Sequence, residues 1–169
     1  MSRVVDNTVL SNFCRIGRLD LLSALFPKVH VTYEVREEVL RGLEDGYAFL
    51  QQAAREIRAD SAAWLELTGF ESSAEEEAFR KFTETLGYGE ASCLALAQAR
   101  GWLILTDDLR ARHLARWLGL EVTGTLGILA LSVETGILDP ANGDRLLRQM
   151  IAEGYRSPYA SLTEFLYSM

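Results

Sequence analysis

Apolar residues recur along the chain in short runs separated by helix-like stretches, and this alternation predicts the fold. Val4-Val5 is a short apolar strand that runs into Asp6. A mostly apolar helical stretch follows from Thr8 to Phe26, with a break expected near Gly17 and a stop at Pro27. Val29-His30-Val31 reads as a second strand. Thr32 then stands as the N-cap of a helix from Tyr33 to Arg41, which Gly42 is expected to end. Another helix is predicted from Gly46 to Arg58, and Trp64 to Leu67 alternates like a strand.

Ser73 and Glu76 have the spacing of a capping box, so a helix is predicted from there to Leu86. Gly87-Tyr88-Gly89 breaks it. From Glu90 to Arg100 the chain is apolar on nearly every side, the pattern of a buried helix, and Gly101 closes it. Trp102-Leu103-Ile104-Leu105 is the clearest strand, a continuous apolar run that leads through Thr106 into Asp107-Asp108. A helix from Leu109 to Leu118 ends at Gly119, and Leu120 to Val122 is a last short strand. From Gly124 to Met169 the pattern is helical, with Asp139-Pro140 as one start signal and Ser161 with Glu164 as another.

Short apolar strands alternating with helices imply a parallel sheet covered on both faces. No repeat or linker-like segment divides the chain, so residues 1–169 are expected to form one domain, with 124–169 as its helical C-terminal extension. No signal peptide or membrane-length apolar run is recognisable, which makes the cytoplasm the expected location. Cys14 and Cys93 sit in apolar surroundings without metal-site spacing and are expected to be reduced core thiols.

Charge narrows the chemistry. With 24 acids against 17 Lys and Arg, the net charge is -7, which argues against a broad nonspecific grip on nucleic acid. It is compatible with a site built from clustered carboxylates. Two strands end in acid, Asp6 and Asp107-Asp108. In one parallel sheet these would converge on the crevice at the carboxyl ends of the strands. Glu90 opens the buried helix leading to the second of these strands, and Glu38 lies on the helix after the Val29 strand. Oxygen ligands of this kind suit a hard cation such as Mg²⁺ or Mn²⁺, which can position water for attack on a phosphodiester. Each acid alone has an ordinary explanation: Asp6 and the Asp107-Asp108 pair as helix caps, Glu90 as a first-turn glutamate, Glu38 as a solvated charge. An aspartyl-phosphate hydrolase would want a second Asp two residues after the first, where Thr8 stands.

The order of these segments resembles the PIN-domain family. The carriers are Val4-Val5-Asp6-Asn7-Thr8, Val35-Arg36-Glu37-Glu38-Val39, Gly87-Tyr88-Gly89-Glu90-Ala91 and Leu105-Thr106-Asp107-Asp108. Arg110-Ala111-Arg112, Leu118-Gly119-Leu120 and Gly124 to Leu129 are similar to a prokaryotic subgroup related to VapC toxins, in which Asp often stands where this chain has Glu90.

The resemblance implies a three-layer α/β/α fold with a central parallel sheet. It implies an endoribonuclease dependent on Mg²⁺ or Mn²⁺, with Asp6, Glu38, Glu90 and Asp108 as the catalytic acids. The metal would be held by Asp6, Glu90 and Asp108, with Asp107 as an additional ligand, and Thr8 and Thr106 would support them. It also implies a homodimer, often the toxin half of a toxin–antitoxin pair. The alternative within the same fold is a non-catalytic or weakly catalytic RNA- or protein-binding module. RNA contacts are expected from the helix after Asp108, where Arg110, Arg112 and Arg116 form the densest basic run of the chain, with Arg112 first.

Overall fold

A computed structural model describes all residues from Met1 to Met169. The chain begins with β1 (Arg3–Val5), α1 (Asn7–Arg15), α2 (Asp20–Leu25), β2 (Val29–Thr32) and α3 (Tyr33–Glu44). A short 3-10 helix (Ala48–Leu50), α4 (Gln51–Glu56), β3 (Ile57–Arg58) and β4 (Leu65–Thr68) follow. Next come α5 (Ser73–Phe82), α6 (Tyr88–Arg100), β5 (Leu103–Leu105), α7 (Leu109–Trp117) and β6 (Val122–Thr123). The chain ends with α8 (Thr125–Glu134), α9 (Pro140–Ala152) and α10 (Leu162–Ser168).

The six strands form one all-parallel sheet in the order β3-β4-β2-β1-β5-β6, flanked by helices in a three-layer α/β/α arrangement. The sheet is short and fully apolar at its centre: Val4, Val5, Val29, Val31, Ile104 and Leu105 are buried. α6 lies on β1, β2 and β5 with Ala91 to Ala97 all buried, as its apolar circumference predicts. Gly101 ends it at φ +67, a conformation that L side chains rarely adopt. One hydrophobic cluster runs from Val4 through Leu129 and Leu147 to Leu162, so the C-terminal helices share the core of the sheet. Both cysteines are free and buried. No helix is long and apolar enough to cross a membrane.

Several boundaries differ from the sequence pattern. Gly42 does not end α3, which runs on to Glu44 and turns at Gly46, φ +95. Gly42 is there for space: a Cβ at this position would lie 2.4 Å from the Leu50 side chain. The predicted helix from Gly46 to Arg58 is a 3-10 turn plus α4. Its last two residues instead form β3, because Ile57 pairs beside Leu65 on the sheet edge. The cap of α5 is Ser72, not Ser73: Ser72 Oγ accepts from Glu75 N at 3.2 Å, while Glu75 accepts from Glu71 N. α5 stops at Phe82 rather than Leu86. α6 starts at Tyr88, so Gly89 and Glu90 lie in its first turn.

The displaced capping box has a tertiary reason. Glu75 is buried and its carboxylate receives Arg100 Nε at 2.7 Å and Nη2 at 3.1 Å, which pins α5 to the end of α6. Arg100 also donates to the Gly69 carbonyl. Arg100 beside it holds the Glu75 carboxyl below the usual carboxylate range. Removing one partner strands the other in a mostly buried place. Arg100→Ala is therefore expected to destabilise the protein by about 2–3 kcal/mol in urea unfolding, and a change within the scatter of surface mutations would deny the pair a structural role.

Candidate active site

The site follows from the strand register. Val5 of β1 lies opposite Leu105 of β5, so the next residues, Asp6 and Thr106, emerge side by side at the carboxyl edge. From β1 the chain turns towards β2, whereas β5 and β6 lie on the other side of β1. This is where a parallel sheet opens a crevice. Asp6 N donates to the Leu105 carbonyl at 3.1 Å, and the Thr106 hydroxyl donates to Asp6 Oδ2. The other carboxylate oxygen caps α1, accepting from Thr8 N at 3.0 Å, Val9 N at 3.3 Å and the Thr8 hydroxyl. Asp6 thus caps a helix at the carboxyl edge of the sheet.

Asp6 is completely buried, and burial pushes its carboxyl up to about 7. The hydrogen bonds from Thr106 and Thr8 oppose that rise, and the charge of Glu90 adds to it. Glu38 on α3 is also raised, first by burial and then by Glu90; the Gly89 N–H, 3.0 Å from Glu38 Oε1, and Arg41 oppose it. Glu90 is therefore the shared neighbour of Asp6 and Glu38. The helix start that carries it is shaped by glycines. A Cβ on Gly89 would lie 2.6 Å from both Glu38 oxygens, and one on Gly87 would lie 2.7 Å from Glu90 Oε2.

Gly89→Ala tests this approach. The Glu38 carboxylate is the far end of a flexible side chain and can move, while alanine improves the helix by roughly 0.5–1 kcal/mol. The melting temperature is expected to hold within a few degrees while any activity that needs Glu38 in place falls. Full activity would show that the position of Glu38 is not critical.

The adjacent aspartates at the end of β5 have different surroundings. Asp107 accepts from Asn12 Nδ2 at 3.0 Å, from Thr125 N at 2.9 Å and from the Thr125 hydroxyl, while its own N–H donates to Thr8 Oγ1 at 2.9 Å. It ties α1, β5 and α8 together. Gly124 permits this: a Cβ there would lie 2.4 Å from Asp107 Oδ1 and 2.8 Å from Arg112 Nη1. Asp108 caps α7, its Oδ1 accepting from Ala111 N at 2.8 Å, and its N–H donates to Thr106 Oγ1 at 3.0 Å.

A cavity of about 1140 Å³ opens over these residues. Glu38, Glu90, Asp107 and Asp108 line it. Asp6 does not; it lies one hydrogen bond behind Thr8, which does. Thr106 is likewise buried. Arg15, Arg110, Arg112 and Arg156 also line the cavity, so cations surround the acids. Arg112 is half-buried and donates to the Thr106 carbonyl at 2.9 Å; burial and the neighbouring Arg116 lower its guanidinium pKa. Arg110 is exposed, and Arg116, also exposed, is outside the lining.

Sequence reasoning passed over Asn12, Thr125, Tyr155 and Arg15. Asn12 had a signal, since a polar residue four positions after Thr8 on the buried face of an apolar helix must find a partner. Tyr155 had none. It reaches the cavity through the packing of the C-terminal helices, where burial and the neighbouring Asp107 raise its phenol well above the ordinary value.

The donor set is all oxygen, as a hard divalent cation requires. No three of the chain's His, Cys, Asp and Glu side chains are arranged to hold an ion jointly. Glu38, Glu90, Asp107 and Asp108 nevertheless line one cavity wide enough for a hydrated ion. These residues fit a cation that keeps most of its waters and takes one or two carboxylates, as Mg²⁺ commonly does.

The family described as DUF3368, a PIN domain, matches residues 2–169. The chain belongs to the PIN-domain family. PIN domains are generally nucleases and generally use divalent metals. Similar solved structures include a PilT N-terminus domain protein, SSO1118 from the hyperthermophilic archaeon Sulfolobus solfataricus P2. It has 15% identity and a TM-score of 0.52, over 79% of this chain and 95% of that one. PAE2754 from Pyrobaculum aerophilum has 17% identity and a TM-score of 0.50, over 82% of this chain and 98% of that one. At such identities the likeness concerns the fold. No curated protein matches the chain. In this PIN domain acids from all four motif segments gather at one edge of the sheet, Glu38, Glu90, Asp107 and Asp108 lining the cavity and Asp6 behind it.

Proposed function

We propose that this PIN domain is an endoribonuclease dependent on Mg²⁺ or Mn²⁺, of the VapC-like kind, acting in the cytoplasm as the toxin of a toxin–antitoxin pair and as a homodimer. The observation that carries the nuclease reading is that Glu38, Glu90, Asp107 and Asp108 line one cavity at the carboxyl edge of the sheet, with Asp6 behind Thr8 and four arginines in the same lining. A bound cation would supply charge neutralisation and an activated water. Of the expected ligands Asp6, Glu90 and Asp108, the two that line the cavity, Glu90 and Asp108, would take it directly with water in the remaining positions, Asp6 would add its charge from behind Thr8, and Asp107 is available only at the expense of its bonds to Asn12 and Thr125. Thr8 and Thr106 orient Asp6 by hydrogen bonds. Glu38, anchored by the Gly89 N–H, is placed to accept a proton or hold a water. Arg110 faces the cavity and is free of ion pairs, as a phosphate contact requires, and Arg116 extends the same basic surface. Arg112 is already committed to the Thr106 carbonyl, so its second role would be to steady β5 against α7.

The test compares single-stranded RNA, DNA of the same sequence and a phosphate monoester as substrates with Mg²⁺, Mn²⁺ or chelator. Metal-dependent cleavage of RNA is the expected result. Binding of RNA without cleavage under every metal would assign the protein to the non-catalytic alternative. Turnover of the monoester alone would assign a phosphatase. The toxin role is tested separately, by whether expression arrests growth and whether a neighbouring gene product relieves the arrest.

A further inference from the structure

A second cleft, of about 450 Å³, opens beside the first, and Asn7, Ser11, Arg15 and Glu38 line both. The two therefore adjoin, with Glu38 on the wall they share. The main cavity alone, at about 1140 Å³, already exceeds the usual range for a small-molecule site, roughly 300–1,000 Å³. A mononucleotide would not need the extension; a polymer crossing the acids would.

The side chains of the second cleft suit a single strand. Tyr47 lines it with half of its surface exposed, although a tyrosine ring is a large apolar body to leave in water. Phe49 lies beside it, ring centroids 5.9 Å apart, and the Arg15 guanidinium sits 4.9 Å from the Phe49 centroid. Arg41 also lines the cleft, is exposed, and forms no ion pair or side-chain hydrogen bond. An aromatic platform next to a free cation is the usual means of holding unpaired bases and their phosphates. Asp45 shares the lining and offers acceptors for base amino groups or the 2′-hydroxyl. Arg110 and Arg156 supply cations to the main cavity and are absent from the lining of the second cleft. Arginines thus line both clefts.

We infer that the second cleft is a subsite for the nucleotides on one side of the scissile phosphate, with Tyr47 as a stacking platform and Arg41 as a phosphate contact. A single RNA strand then passes through the site instead of ending in it. This rests on the ribonuclease reading and adds the path of the substrate.

The experiment measures kcat/KM for a single-stranded RNA of about twelve nucleotides, within the site sizes of single-strand binders, and for a dinucleotide. The proteins are the wild type, Tyr47→Ala, Arg41→Gln and, as a control, Tyr167→Ala. Tyr167 is more exposed than Tyr47 and lies outside both clefts. The ratio of long to short substrate is expected to fall about tenfold in Tyr47→Ala and to stay constant in Tyr167→Ala. Arg41→Gln is expected to flatten the log–log salt dependence of binding by about 0.7, the share of one phosphate contact on a single strand. Wild-type cleavage with unchanged ratios in both variants overturns the subsite and leaves the ribonuclease standing. Altered oligomeric mass in Tyr47→Ala with unchanged ratios overturns it too and assigns the cleft to a second copy of the chain. A wild type that neither binds nor cleaves RNA overturns both readings.

Discussion

Metal-free protein is expected to melt roughly 5–10 °C lower near pH 8 than near pH 5, and Mg²⁺ or Mn²⁺ is expected to recover much of the loss at the higher pH. The cause is Asp6, whose carboxyl moves from its ordinary 3.8 to about 7 on folding. Between those values the folded protein keeps a proton that the unfolded chain has released. The stabilisation is fully present below the ordinary value and is lost as pH rises through the folded one. Glu38, also raised, acts in the same direction. Glu75 and Asp144, both lowered, favour the folded state above the ordinary carboxylate range and lose that contribution only at lower pH, so they do not mask the slope. A shift of this size in a fully buried group corresponds to on the order of 2–4 kcal/mol. A divalent cation favours the ionised carboxylates and so reverses the trend. Asp6→Asn removes the main titrating group, and its melting temperature should change much less across the window, where Glu38 still lowers it and His30, held below its ordinary 6.5 by burial, raises it as pH climbs towards that value. Wild-type melting that rises from pH 5 to pH 8 without metal would contradict the burial of Asp6 as a strained acid.

The second large effect separates the two aspartates after β5. Asp107→Ala is expected to destabilise the protein by about 3–5 kcal/mol. It leaves the N–H and hydroxyl of Thr125 without their acceptor and takes one of two acceptors from Asn12 Nδ2, which keeps Thr125 Oγ1 at 3.2 Å; Asn12 and Thr125 are both buried. Asp108→Ala loses a helix cap, about 0.5–2 kcal/mol, yet removes a carboxylate that faces the cavity. Urea unfolding and RNA cleavage should therefore rank the two in opposite order: Asp107→Ala the less stable, Asp108→Ala folded but inactive. A stable, inactive Asp107→Ala beside an active Asp108→Ala would exchange their roles.

These two residues also show what the sequence could convey. The motif Leu105-Thr106-Asp107-Asp108 placed a carboxylate at the end of a buried strand, and the parallel register with Val5 made its meeting with Asp6 legible. Which aspartate faced solvent was not legible, because that depends on Asn12 and Thr125, which come from α1 and α8, distant in the chain. The helix starts at Thr32, Asp139 and Ser161 could be read locally, since a cap is decided by residues three apart. The end of α3 and the split of the segment from Gly46 to Arg58 could not. Gly42 is retained for the close approach of Leu50, and β3 exists only because β4 offers an edge beside Ile57. The arginines of α7 were visible as a run, but their division into a buried brace, Arg112, and exposed cations, Arg110 and Arg116, follows from how α7 packs above Thr106.

The most direct test of the central claim, that the acids at the ends of β1 and β5 carry a metal-dependent ribonuclease, is cleavage of single-stranded RNA by wild type and Asp6→Asn side by side, with Mg²⁺ or Mn²⁺ and with chelator. Asparagine keeps the shape of Asp6 and can still accept from Thr8 and Val9, so the fold should persist. The account predicts metal-dependent cleavage by wild type and a loss of more than about 100-fold in Asp6→Asn, together with loss of the metal-induced rise in melting temperature. Cleavage by Asp6→Asn at the wild-type rate, or wild-type cleavage that chelator does not diminish, would contradict it.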